Sequence, residues 1–177
     1  MTPEELAHDS SYAYSLYPPN YWDILDILVI VEKKEKSIST TNAHKLAHTS
    51  PFFQSRLTQL DGKINKLKQA LRNKNFDLFG QIAEAETLNM HAVMMTASPP
   101  LFYWLDKTIE IIKSVWQWRK NGLSVYFTID AGPNVHLLCE GKNKKAVVYF
   151  LNRIKNIKQI IINKPGTGAK LVDKHIF

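Results

Sequence analysis

Ser124-Val125-Tyr126-Phe127-Thr128-Ile129-Asp130-Ala131-Gly132-Pro133-Asn134-Val135-His136-Leu137-Leu138-Cys139 is the stretch that decides the fold of this 177-residue chain. β-Branched and aromatic residues fill both flanks and a Gly-Pro turn divides them, so it reads as two strands around a tight connection. A carboxylate at the last residue of a buried strand is held rigidly at a sheet edge, where chemistry is often placed. On local pattern alone the plainer reading has Asp130 merely open the turn, as Asp commonly does.

Working outward, Trp22 to Val31 is dense in Ile, Leu and Val and suits a strand buried on both faces. Lys33-Lys34-Glu35-Lys36 breaks that run, and Ser39-Thr40-Thr41-Asn42 offers N-cap chemistry for a short helix through His48. Ser50 as N-cap with Pro51 at the first position predicts a longer helix, whose Leu57, Leu60, Ile64, Leu67 and Leu71 form a core-facing stripe. Asn75 caps a third helix, with Phe76, Phe79, Ala83, Met90, Val93 and Met94 on its apolar side. After Pro99-Pro100 a fourth helix is expected from about Leu101 to Lys120, with Leu105, Ile109, Ile112 and Trp116 inward and Asn121-Gly122 closing it. Downstream of the central turn, Lys142 to Ile154 reads as a helix and Ile157 to Ile162 as a last strand. The order predicts an α+β fold: a ferredoxin-like split βαβ sandwich. Its four-stranded, mainly antiparallel sheet has helices on one face and a first crossover enlarged to four helices.

Composition narrows the function classes. The single cysteine, Cys139, excludes a disulfide framework and a thiolate metal cluster and points to a reducing, cytoplasmic setting. No opening leader pattern and no bilayer-length apolar run is seen, so no membrane partner is expected. The net charge of +7 attracts anions, but its lysines and arginines are spread over helix faces. No aromatic-interleaved basic motif accompanies them, so nucleic acid is not expected either.

Met90-His91-Ala92, Ser98-Pro99-Pro100-Leu101-Phe102-Tyr103 and Tyr126-Phe127-Thr128-Ile129-Asp130-Ala131-Gly132-Pro133-Asn134 together resemble the diphosphomevalonate decarboxylase family of the GHMP kinase superfamily. Ser11-Tyr12-Ala13, Lys33-Lys34, Ser39-Thr40 and Thr49-Ser50 fall in the same order. The likeness covers the C-terminal half of that family. It implies the GHMP kinase C-terminal fold over residues 21–177, with 1–20 a remnant of the segment joining it to an N-terminal, ATP-binding half. It also implies that ATP and Mg2+ are bound mainly by that other half, that the chain is inactive alone, and that a homodimer forms.

The resemblance further implies ATP-dependent phosphorylation of mevalonate 5-diphosphate at its 3-hydroxyl, then loss of phosphate and carbon dioxide to give isopentenyl diphosphate. Asp130 carries over as the residue facing that hydroxyl, with Ala131 and Gly132 beside it and Gly132 allowing close approach of a ligand. Ser39 and Thr40 carry over as substrate contacts, although Asn42-Ala43 departs from the family's usual Gly-Met and both hydroxyls also suit a helix cap. His91 matches a family histidine, but its neighbours Met90, Val93 and Met94 favour a packed core residue. Two functions stay open: an enzyme half, with another mevalonate phosphate as a possible substrate, or a stand-alone interaction module that kept the fold.

Overall fold

The computed structural model describes residues 14–33 and 45–168. Four strands, β1 (Ile24–Ile30), β2 (Val125–Thr128), β3 (Val135–Glu140) and β4 (Gln159–Asn163), form one sheet in the order β2-β3-β1-β4. Every pairing is antiparallel. The helices are α1 (Phe53–Arg72), α2 (Phe76–Met95), α3 (Asp106–Lys120) and α4 (Lys144–Leu151). Register sets Leu25, Cys139 and Val125 side by side, then Ile27, Leu137 and Phe127. Because side chains alternate along a strand, these share one face. That face buries Ile111, Ile112, Val115 and Trp118 of α3 with Val147 and Leu151 of α4. Cys139 lies in this core, and burial pushes its thiol up to about 11. Iodoacetamide at pH 8 should therefore leave the folded chain unlabelled until urea exposes the thiol.

Several expectations are corrected. β1 alternates buried and half-buried residues, so it is not sealed on both faces. Helices also reach the second face, where Phe76 and Phe79 of α2 pack with Trp22, Ile24, Tyr126 and Leu138. α1 begins at Phe53, after a turn in which the Ser50 hydroxyl accepts from Phe52 N at 3.2 Å and lies 2.7 Å from Thr96 Oγ1. Its stripe is not core: Leu57 is 43% and Ile64 45% exposed, and Ala70 is its buried residue. α3 starts at Asp106, not Leu101, and Leu105 and Trp116 are exposed. Its inward residues are Thr108, Ile111, Ile112, Val115 and Trp118. The last helix and strand are shorter than expected, and a 3-10 turn over Ala47–Thr49 ends the segment whose Ser39 to Asn42 cap lies outside the described residues. The Asn75 cap (Leu78 N to Oδ1, 3.1 Å) and the left-handed Gly122 stand as expected.

β2 is an edge strand, and a helix takes the place of its missing neighbour. Asp77, Gly80, Glu84, Thr87 and His91 recur on α2 at helical spacing, which makes one stripe. Glu84 Oε2 accepts from Phe127 N at 3.4 Å, and Thr87 Oγ1 accepts from Ile129 N at 3.3 Å. Arg119 donates to both Glu84 oxygens at 2.8 Å and to Val125 O at 3.1 Å, while Trp116 Nε1 donates to Glu84 at 2.6 Å. A Cβ at Gly80 would lie 2.1 Å from the Tyr126 ring, so only glycine lets the helix come this near. Glu84→Ala strands Arg119, Trp116 Nε1 and Phe127 N together, and should cost about 3–5 kcal/mol. Glu86→Ala, which removes the partly exposed partner of Arg56 and Lys63 (3.0 Å to Lys63) at the edge of the helix pair, should cost less, about 1 kcal/mol. Urea midpoints of the two variants measure this contrast, and equal losses would contradict it.

Candidate active site

β2 ends at Thr128, so Asp130 is not the last residue of the strand but stands two residues beyond it, in a turn clamped from three sides. Asp130 Oδ1 accepts from Gly132 N at 3.0 Å, closing the turn on itself. Pro133 O accepts from the Thr108 hydroxyl at 2.6 Å, and that hydroxyl accepts from Leu105 N at 3.2 Å. Asn134 Oδ1 accepts from Val31 N at 2.9 Å and Glu32 N at 3.2 Å, tying the turn to the end of β1. Gly132 has φ +79°, a left-handed conformation that costs an L side chain about 1–2 kcal/mol. It is buried, and its missing Cβ would face Ile129, Trp104 and Tyr103. The glycine therefore serves the backbone of the turn and its seat on the protein.

Asp130 itself is exposed and lines a cleft of about 450 Å³ between the α1–α2 hairpin and the second face of the sheet. The α1 stripe (Leu60, Ile64, Leu67) and Ile82, Ala83 and Met90 of α2 make apolar walls. Here lies the physical use of the stripe that sequence periodicity assigned to the core. Arg56, Lys63 and Glu86 form a charged rim, and Thr128 and His136 lie with Asp130 on the sheet side. Ala131 and Gly132 do not line the cleft, and Ser39 and Thr40 lie outside the described residues. His91 is buried with its ring 4.8 Å from that of Trp104, the packed position its apolar neighbours suggested. His136 was not anticipated as a site residue. Its place opposite Thr128 in the register, two residues before Asp130, was the available signal.

Chemically, the Asp130 oxygen not held by Gly132 N is open to accept a proton from a hydroxyl brought into the cleft. His136 Nδ1 lies 3.0 and 3.1 Å from the Asp26 oxygens, and this contact holds the imidazole protonated to higher pH than usual.

The family model described as mevalonate 5-diphosphate decarboxylase C-terminal domain matches residues 26–172. The chain belongs to that family. It is 29% identical over 150 residues to the diphosphomevalonate decarboxylase of Debaryomyces hansenii, covering 82% of this chain and 39% of that protein. It is 28% identical over 113 residues to the phosphomevalonate decarboxylase of Haloferax volcanii, covering 63% of this chain and 35% of that protein. Among solved structures, MDDEF in complex with MVAPP matches with TM-score 0.82 and 31% identity, over 89% of this chain and 50% of that one. MDDEF with MVAPP, AMPPCP and magnesium matches with TM-score 0.76 and 32% identity, over 82% and 46%. The chain thus spans half or less of the length of these relatives.

Within this family domain, the His136–Asp26 pair carries a pH signature. The folded His136 pKa lies above the unfolded value of about 6.5. Its stabilisation is therefore complete below that value and is lost as pH rises through the higher folded one. The destabilisation caused by Asp26→Asn should accordingly be larger at pH 6 than at pH 9, measured as the shift in urea midpoint at each pH. An equal shift at both would contradict the pairing.

Proposed function

We propose that this chain is the C-terminal half of an ATP-dependent decarboxylase that converts mevalonate 5-diphosphate to isopentenyl diphosphate. The observation that carries this reading is the Asp130 carboxylate, held in the clamped turn after β2 and lining an accessible cleft. In the proposed step Asp130 accepts the proton of the tertiary 3-hydroxyl as its oxygen attacks the γ-phosphorus of ATP and ADP leaves. The 3-phosphate then departs with its bonding electrons while the C1 carboxylate leaves as carbon dioxide, and the new double bond takes the place of both. A tertiary alcohol is a crowded nucleophile, so a fixed carboxylate contributes through orientation as well as basicity.

Family membership supports the assignment, as does the capture of a relative with MVAPP, AMPPCP and magnesium. Among the described residues no group of three His, Cys, Asp or Glu could hold a metal ion, and the proposal places ATP and Mg2+ on the N-terminal half of the family. Ser39 and Thr40, outside the described residues, are proposed as substrate contacts. The working protein is proposed to be a cytoplasmic homodimer without a membrane partner; no described helix is long and apolar enough to cross a membrane. The Haloferax volcanii relative favours a second reading, in which mevalonate 5-phosphate is the substrate.

The test combines this chain with a nucleotide-binding half of the family and follows ATP-dependent carbon dioxide release from each mevalonate phosphate. Asp130→Asn should lower kcat by at least ~100-fold while the urea midpoint of the chain stays unchanged. Undiminished turnover would remove Asp130 from the mechanism. Absence of turnover with the wild-type pair, despite nucleotide binding, would favour the non-catalytic interaction module.

A further inference from the structure

The reading of Asp130 as proton acceptor leaves His136, an ionisable side chain of the same cleft, without a task. His136 stands opposite Thr128 across the β2–β3 pair, and Asp130 follows Thr128 by two residues in the turn beyond β2. His136 and Asp130 both line the cleft. Asp26, the diagonal neighbour of His136 on β1, engages its Nδ1 through both oxygens at 3.0 and 3.1 Å. With Nδ1 so committed, Nε2 is the ring nitrogen left for the cleft, and no hydrogen bond to it is found among the described residues. The other charges there are Arg56 and Lys63 of α1, both paired with Glu86 of α2.

We propose that His136, clamped by Asp26, is a positioning residue for Asp130: its imidazolium shares the cleft with that carboxylate and holds it oriented as the substrate arrives. This rests on the function proposed above. The physical need comes from charge. A diphosphate substrate and a nucleotide each bring several negative charges, which repel a nearby carboxylate and would turn it away from the incoming hydroxyl. A local cation opposes that tendency. Asp130 also adds to the rise in the His136 pKa that the Asp26 hydrogen bond chiefly causes, burial acting against both.

The experiment follows the His136 ring by NMR titration in the isotope-labelled 177-residue chain, with His136→Gln to assign the signal. In the wild type the midpoint should lie above 6.5. Asp26→Asn should lower it by about one unit or more. Asp130→Asn, which keeps the oxygen that accepts from Gly132 N, should lower it by a few tenths of a unit, roughly what a screened charge across a cleft supplies. An unchanged midpoint in Asp130→Asn overturns the proposal, and because that side chain is exposed this variant decides the matter even if Asp26→Asn fails to fold. The two readings fail separately. Coupling seen by NMR with no decarboxylation by the assembled halves would sink the function and leave the pairing, while activity that needs Asp130 without any coupling would do the reverse.

Discussion

The Glu84 carboxylate is the constraint on which the rest of the molecule depends. A sheet edge presents backbone N–H groups that need partners, and most folds supply another strand, a cover or water. Here α2 supplies side-chain acceptors, with Glu84 for Phe127 N and Thr87 for Ile129 N. A nearly buried carboxylate (9% exposed) needs its own counter-charge, and Arg119 provides it bidentately from α3 while also holding Val125 O. One ion pair thus joins two helices to the strand that leads into the Asp130 turn. It also fixes the distance between the α1–α2 hairpin and the sheet, and the cleft exists because that distance is fixed.

The same pair shows what sequence reading reaches and where it stops. Strands were legible from runs such as Ile27 to Val31 and Val135 to Cys139, because β-branched and aliphatic residues crowd there. The Asn75 cap and Gly122 were legible because each answers a local backbone requirement. The acceptor stripe of Asp77, Glu84 and Thr87 was not, since polar residues at helical spacing read as a solvated face unless a strand edge is known to lie against them. The α1 stripe erred in the opposite way. Period shows that Leu60, Ile64 and Leu67 share a side, but it does not say whether protein or an open cleft lies opposite. Similarly, Leu105 and the residues before it carry helix-compatible side chains, yet the Thr108 hydroxyl takes Leu105 N and starts the helix at Asp106.

At the site itself, the division between holding and reacting was only half visible. Asp130 stood out by its place at a strand end before Gly-Pro, and the family resemblance gave it a role. What holds Asp130 in place was not legible, because Thr108, Val31 and Glu32 come from elements far away in sequence. Gly132 illustrates the difference. Its motif position suggested room for a ligand, whereas its surroundings are Tyr103, Trp104 and Ile129 and its need for glycine is a positive φ. The turn is rigid because its neighbours are protein on one side, which leaves the exposed carboxylate on the other free to meet a ligand.

The apolar walls of the cleft bear on how the proposed chemistry divides between two halves of a larger enzyme. Leu60, Ile64, Leu67, Ile82 and Met90 offer a diphosphate no hydrogen bonds, and burying such a group against them would be prohibitively costly. On the proposed reading, the charged ends of the substrate must therefore be gripped from outside these walls, as expected for a chain that spans half or less of its relatives. What the walls do provide is a setting of low polarity beside Asp130 and His136. Charge interactions there are stronger than in water, so a single carboxylate and a single imidazolium can matter to a step in which charge moves between oxygens. Hydrophobic side chains that contribute little to the core of this domain thereby become part of what makes Asp130 effective.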